Sequence, residues 1–282
     1  MSFSRRAGTE HRSVTARVAL AVLVSASIAA GCSTATPTSP SAGPSSVIVG
    51  AASQETPSVP ASLIPTPPQA LGATRFLAFG DSITAGALSE FDGGFIMGDS
   101  ANAYPTLLLS MLSQYNAPQV FAVVNTGVPG ETARVGVDRL PGVLNTHRPQ
   151  VVLLLEGIND LNFDVPLTQV AGNVLTLVQT ARLFNCTVLV ATMPQTYYSV
   201  DPTSGRIRYN STEKIRPFND EVRRLVSGLQ NVHIVDIFSA FGSDRSLIGG
   251  DGLHPSPAGY QRMAQVFHQR VSQIFPVRGS LQ

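Results

Sequence analysis

Five short apolar runs recur along the chain, spaced widely enough to hold a helix between successive pairs. They lie at 75–79, 120–124, 151–155, 187–192 and 232–236. Each is nearly continuous in Val, Leu, Ile, Phe and Ala rather than alternating. That is the pattern of strands buried on both faces of a parallel sheet. The remaining stretches predict helices near 102–115, 131–145, 166–184, 211–228 and 257–274. Strands alternating with helices in this way specify βαβ units around one sheet. Residues 73–282 therefore read as one α/β domain of ordinary size, its folded part ending near 277. No internal repeat is visible.

The first 72 residues read differently. Arg5, Arg6, Arg12 and Arg17 precede an apolar stretch of 13 residues, Val18 to Ala30, which Gly31-Cys32 closes. A basic start, a short apolar core and small residues at the end describe an export signal over 1–31. The stretch is too short to span a membrane, which takes about 20 residues. Ala29-Ala30-Gly31-Cys32 resembles a bacterial lipobox, with Ala29 where Leu is usual, so Cys32 is expected to become a lipidated first residue. Ordinary signal cleavage is the alternative. Arg5-Arg6 lacks the apolar residues that a twin-arginine signal carries after it. Residues 32–72 are rich in Ser, Thr, Pro and Ala and read as a semi-extended tether. Without residues 1–31 the chain keeps 15 basic and 17 acidic residues. That near-neutral balance argues against a nucleic-acid partner. The expected contact, through the anchor, is a membrane at the cell envelope.

Chemistry-bearing residues collect where the strand runs end. Gly80-Asp81-Ser82 follows the first run, placing Ser82 at the carboxyl end of a strand, where open α/β sheets bind ligands. Gly80 is expected to allow a sharp turn at positive φ. A serine hydroxyl needs a base to become a nucleophile. The candidate base is His254, with Asp251 three residues before it and Ser256-Pro257, a helix-start pair, just after it. Of five histidines, only His254 has an acid at short fixed spacing and a helix start behind it. The second run leads into Asn125 to Gly130, where Gly130 can present an unobstructed backbone N–H. The third leads into Glu156-Gly157-Ile158-Asn159-Asp160, whose Asn159 is either an amide donor to a developing oxyanion or a loop residue capping the next helix. A second Gly-Asp-Ser, ending at Ser100, follows a glycine-broken stretch unlike a central strand. The chain has no Gly-x-Ser-x-Gly, so an α/β-hydrolase nucleophile elbow is not supported.

These four blocks resemble the SGNH (GDSL-type) hydrolases, over Phe76 to about Phe275. The resemblance implies Ser82 as nucleophile, with the Ser82 and Gly130 amides and the Asn159 side chain as oxyanion donors. It implies Asp251 and His254 as the remaining catalytic pair. Ile83 replaces the usual leucine, a conservative departure. The implied activity is carboxylic ester or thioester hydrolysis through an acyl-serine, without metal or cofactor. The implied fold is a three-layer α/β/α sandwich on a five-stranded parallel sheet of flavodoxin-like order 2-1-3-4-5. Substrate choice stays open among small carboxylic esters, sugar acetates, thioesters and lysophospholipids.

Two long connections leave the carboxyl edge of the sheet, 85–101 and 193–210. Both exceed the usual βα loop, and long loops in compact domains are often functional. Phe95, Met97, Tyr197 and Tyr198 are candidates to line the substrate site, or else they cover the edge of the core. Phe91 and Tyr209 lie in the same connections. Cys186, at the head of the fourth run, reads as a small buried apolar residue. The reading from a different class is a non-catalytic module binding glycan or envelope components on the same fold, against which the intact Ser82, Asp251 and His254 argue.

Overall fold

The structure, a computed structural model, describes residues 70–89, 95–96, 100–200, 205, 209 and 211–276. The leader, Cys32, nearly all of the expected tether and Met97 lie outside those residues. Five strands form a parallel sheet: β1 (Arg75–Gly80), β4 (Ala122–Asn125), β5 (Val151–Leu155), β6 (Thr187–Ala191) and β7 (Val232–Val235). Their order is β4-β1-β5-β6-β7, which is 2-1-3-4-5 counted along the five. Every β5 residue is at most 1% exposed, because β5 pairs with β1 and β6 and is covered on both faces. Each such side chain contributes roughly 1.5–3 kcal/mol of burial. A separate antiparallel ribbon, β2 (Leu88–Ser89) with β3 (Phe95–Ile96), leaves the sheet after β1.

The main helices are α2 (Tyr104–Tyr115), α3 (Ala133–His147), α5 (Leu167–Leu183), α6 (Ile215–Val226) and α8 (Pro257–Ile274). They pack as two sets, α2 with α8 and α3 with α5 and α6, giving the layers of the sandwich. Tyr104 of α2 stacks on Phe267 of α8 at 4.9 Å. The Tyr260 hydroxyl of α8 donates to the Ala87 carbonyl at 2.6 Å, tying the last helix to the segment after β1. Cys186 is a buried free cysteine, packed just before β6.

Three sequence expectations are corrected. The second run is a sheet edge, not a buried strand. It begins at Ala122, its residues are half-buried or exposed, and Val120 before it is 84% exposed. An edge strand has one paired side and needs less apolar cover. Short helices also replace expected loops: α1 (Ser82–Ala85), α4 (Ile158–Asn162) and α7 (Ile237–Phe241). Finally, Gly80 stays inside β1, and its φ is not positive. It must be glycine because a Cβ would meet the Leu155 carbonyl oxygen at 2.2 Å and Thr84 Oγ1 at 2.3 Å.

Gly127 is held as tightly. A Cβ there would lie 2.3 Å from the Ala85 nitrogen and 2.7 Å from the Asp81 carbonyl oxygen, so the turn after β4 presses directly on the turn after β1. Gly127→Ala is expected to lower stability by roughly 1–3 kcal/mol through overpacking. Gly172→Ala, in the middle of α5 with open space around it, should instead gain about 0.5–1 kcal/mol. Urea midpoints measure both. A Gly127→Ala protein as stable as wild type would mean that the two turns separate easily.

Candidate active site

Ser82 opens α1, two residues beyond β1, and is 3% exposed. The Asp81 carboxylate accepts from the Ile83 backbone N–H at 2.9 Å and caps this four-residue helix. Gly86, at φ +93°, ends it. Chain direction therefore reverses sharply on either side of the serine, presenting its hydroxyl at the end of the sheet.

The partner arrives from the other end of the chain. Ser82 Oγ lies 2.9 Å from His254 Nε2, and His254 Nδ1 lies 2.5 Å from Asp251 Oδ2. The second Asp251 oxygen accepts from the Leu253 and His254 backbone N–H groups at 2.9 and 3.0 Å. One carboxylate thus shapes the loop and orients the ring, which leaves Nε2 facing the serine. Both residues are essentially buried. Ser256 caps α8, with Pro257 at its first position, so the loop is anchored where the helix starts.

Three turns at the carboxyl edge are laced side chain to backbone. Asn125 Nδ2 donates to the Thr84 carbonyl at 2.9 Å, joining the turn after β4 to α1. Asn159 Nδ2 donates to the Glu131 carbonyl at 2.7 Å, and Asp160 Oδ2 accepts from the Ala133 N–H at 2.8 Å. These two bonds join α4 to the turn after β4 and to the start of α3. An amide nitrogen carries two hydrogens, so Asn159 holds Glu131 with one and keeps the other to donate. Gly130, just before Glu131, sits at φ +77° with open space around it. Among the described residues, no group accepts from the Ser82 or Gly130 backbone N–H.

Of the expected substrate-lining residues, Phe95 lies in β3 opposite Ser89. Ser89 packs against Gly249, whose N–H donates to the His254 carbonyl at 2.8 Å, so the ribbon abuts the histidine loop. The Tyr197 N–H donates to the Gly252 carbonyl at 2.7 Å. Tyr198 is exposed. The Tyr209 ring stands edge-on to the His254 ring, with centroids 6.5 Å apart. Ser100 opens a 3₁₀ turn before α2 and is not at a strand end of the five-stranded sheet.

Comparison with known proteins follows the same residues. The sequence profile of the GDSL-like Lipase/Acylhydrolase family matches residues 78–262, which hold all four blocks. The chain belongs to this family. It is a carboxylic ester hydrolase. It is 25% identical over 198 residues to an arylesterase of Vibrio mimicus, a match covering 70% of this chain and 88% of that one. It is 27% identical over 198 residues to esterase TesA of Pseudomonas aeruginosa, covering 70% and 87%. Its fold is similar to that of the M. smegmatis aryl esterase, with TM-score 0.62 at 22% identity over 72% of this chain and all of that one.

In this GDSL-like hydrolase, sequence reading passed over a cluster of buried acids under the turns. Asp81, Glu131, Glu156 and Asp160 are each at most 5% exposed. Arg139 makes two bonds to Glu131, at 2.6 and 2.7 Å, and lies 4.0 Å from the centre of the Phe79 ring. Asp81 Oδ2 and Glu156 Oε1 are buried without a partner. Among the described residues, no group of His, Cys, Asp and Glu is placed to hold a metal ion. Burial, reinforced by Asp160 and Glu131 against the Ile83 N–H, pushes the Asp81 carboxyl up to about 7. Burial, with Asp81 and Glu131 nearby, raises Glu156 well above the usual carboxylate range, and burial also raises Asp160. Each acid flanks a motif residue, and that adjacency was the available signal.

The sign of the pH effect follows from linkage. The unfolded chain releases these protons near pH 4, whereas the folded protein keeps the Asp81 proton up to about pH 7. This contribution to stability is full below pH 4 or so and is lost as pH rises through about 7. Melting temperatures between about pH 5 and 8 should fall with pH for this reason. Asp81→Asn, which keeps the cap to Ile83, should flatten the slope. An unchanged slope in both Asp81→Asn and Glu156→Gln would show that the cluster is ionised throughout.

Proposed function

We propose that this esterase works through an acyl-serine built on Ser82 and acts at the cell envelope, held by lipid on Cys32. The single observation that carries the chemical part is the buried chain Ser82 Oγ–His254 Nε2 and His254 Nδ1–Asp251, at 2.9 and 2.5 Å. Ser82 Oγ attacks the ester carbonyl carbon and its proton passes to His254 Nε2. The carbonyl oxygen becomes an oxyanion, met by the Ser82 and Gly130 amides and the spare Asn159 hydrogen. The tetrahedral centre collapses, the C–O bond to the alcohol breaks, and His254 returns the proton to that oxygen. Water, deprotonated by His254, then attacks the acyl-serine and frees the acid and Ser82. Asp251 holds the ring in place through Nδ1. The acyl and alcohol parts would meet the ribbon carrying Phe95 and the segment carrying Tyr197 and Tyr209.

A fluorophosphonate probe should label Ser82 and leave Ser100 untouched, and Ser82→Ala should abolish turnover of a short-chain aryl ester. Labelling at Ser100 alone would overturn the assignment. Turnover should also fall at acidic pH, because a protonated imidazole cannot accept the serine proton.

Asn159→Ala separates two roles. Loss of one transition-state donor should lower kcat by about 10²–10³ with KM little changed. Wild-type turnover in a folded Asn159→Ala protein would leave Asn159 as a tie to Glu131 only.

The envelope part rests on the 13-residue apolar core, Ala29-Ala30-Gly31-Cys32 and the Ser/Thr/Pro-rich stretch after it. Stable anchoring takes more than one acyl chain. The exported protein should fractionate with membranes and Cys32→Ser should not. Mass spectrometry finding an unmodified mature start near residues 25–40 would contradict anchoring.

A further inference from the structure

A second pocket, of about 570 Å³, lies beyond the carboxyl ends of β6 and β7. Gln195 and Tyr197 line it from the segment after β6, and Arg216 from the first turn of α6. Phe238, Ser243 and Arg245 line it from the segment after β7. Its volume is in the range of small-molecule sites.

The two arginines give this pocket its chemistry. The Arg245 guanidinium lies 4.4 Å from the centre of the Tyr197 ring, and that of Arg216 lies 4.9 Å from the centre of the Phe238 ring. Stacking occupies the flat face of a guanidinium and leaves its N–H edge to donate. Neither arginine makes an ion pair or hydrogen bond among the described residues. The acids nearest in sequence are engaged elsewhere. Asp236 and Asp220 pair with Arg223 at 2.5 and 3.6 Å, and Asp244 accepts from Ser246 at 2.6 Å. Two positive forks, each held on an aromatic wall and without an acidic partner, face one cavity.

We propose that this pocket binds an oxyanion, a phosphate or carboxylate group gripped between Arg216 and Arg245. Such groups accept the paired hydrogen bonds that a guanidinium edge offers. Tyr197, which backs Arg245, also donates through its backbone N–H to the Gly252 carbonyl, beside Asp251. The site therefore adjoins the loop that carries the histidine. The oxyanion is either the charged end of a substrate or a free anion.

Inorganic phosphate titrated calorimetrically into the full chain carrying Ser82→Ala tests binding without turnover, so failure of the hydrolytic mechanism would leave the result standing. Low ionic strength with chloride as control is required, since exposed charges are screened by salt. Saturable one-to-one binding of phosphate is expected. The pair Arg216→Gln and Arg245→Gln should weaken it by about tenfold or more, with melting temperature unchanged. No saturable binding, or equal affinity in the double variant, would overturn the site. In the active protein, an aryl ester with a distal carboxylate and its neutral amide counterpart separate the two sources. A KM increase confined to the charged ester in the double variant means a substrate end. Equal KM for both esters, with phosphate binding lost, means a free anion.

Discussion

A parallel sheet gathers its strand ends at one edge but does little to fix the turns that leave it. In this protein the turns fix one another. Asn125 reaches from the turn after β4 to the carbonyl of Thr84. Asn159 and Asp160 reach from α4 to the Glu131 carbonyl and the Ala133 N–H. Three stretches distant in sequence thus become one laced edge, with backbone polar groups satisfied by side chains of the neighbouring turn. The closeness of the lacing excludes a Cβ at Gly127. It also ties together the turns that carry Ser82, Gly130 and Asn159.

The same closeness brings carboxylates together. Asp81, Glu131, Glu156 and Asp160 follow from the motifs that supply the serine, the glycine and the asparagine, and packing those motifs packs the acids too. Among the described residues only one of the four, Glu131, has an arginine partner, Arg139. Buried like charges are costly in low dielectric, and uptake of protons is the least expensive relief. Burial at the edge that presents the serine accordingly raises Asp81, Glu156 and Asp160 above the usual carboxylate range. Its stability is thereby linked to pH.

Much of this was legible in the chain itself. β5 and β6 announce themselves as unbroken apolar runs because both faces are covered, and β7 ends within one residue of its expected limit. The family blocks fixed where the serine and histidine lie in sequence, since each follows a strand or precedes a helix start. The edge strand was misjudged because Val120 and Phe121 extend its apolar run past the point where pairing with β1 begins. Asn159 looked like loop because a five-residue helix leaves little periodic signal. Gly80 looked like a turn glycine because contact with Leu155, 75 positions away, cannot be seen locally. The acid cluster escaped for the same reason: its members are ordinary flanking residues until the sheet assembles them.

The hydrogen bond between Ser82 and His254 closes a loop of 172 residues. Closing a loop of that size costs chain entropy that only the finished sandwich can offset. α8 supplies much of that offset, through Tyr260 on Ala87 and Phe267 on Tyr104. A chain growing from its amino terminus makes Ser82 172 residues before His254. The Ser82–His254 bond therefore has to wait for the stretch that leads into α8, and the order of synthesis sets which partner joins which.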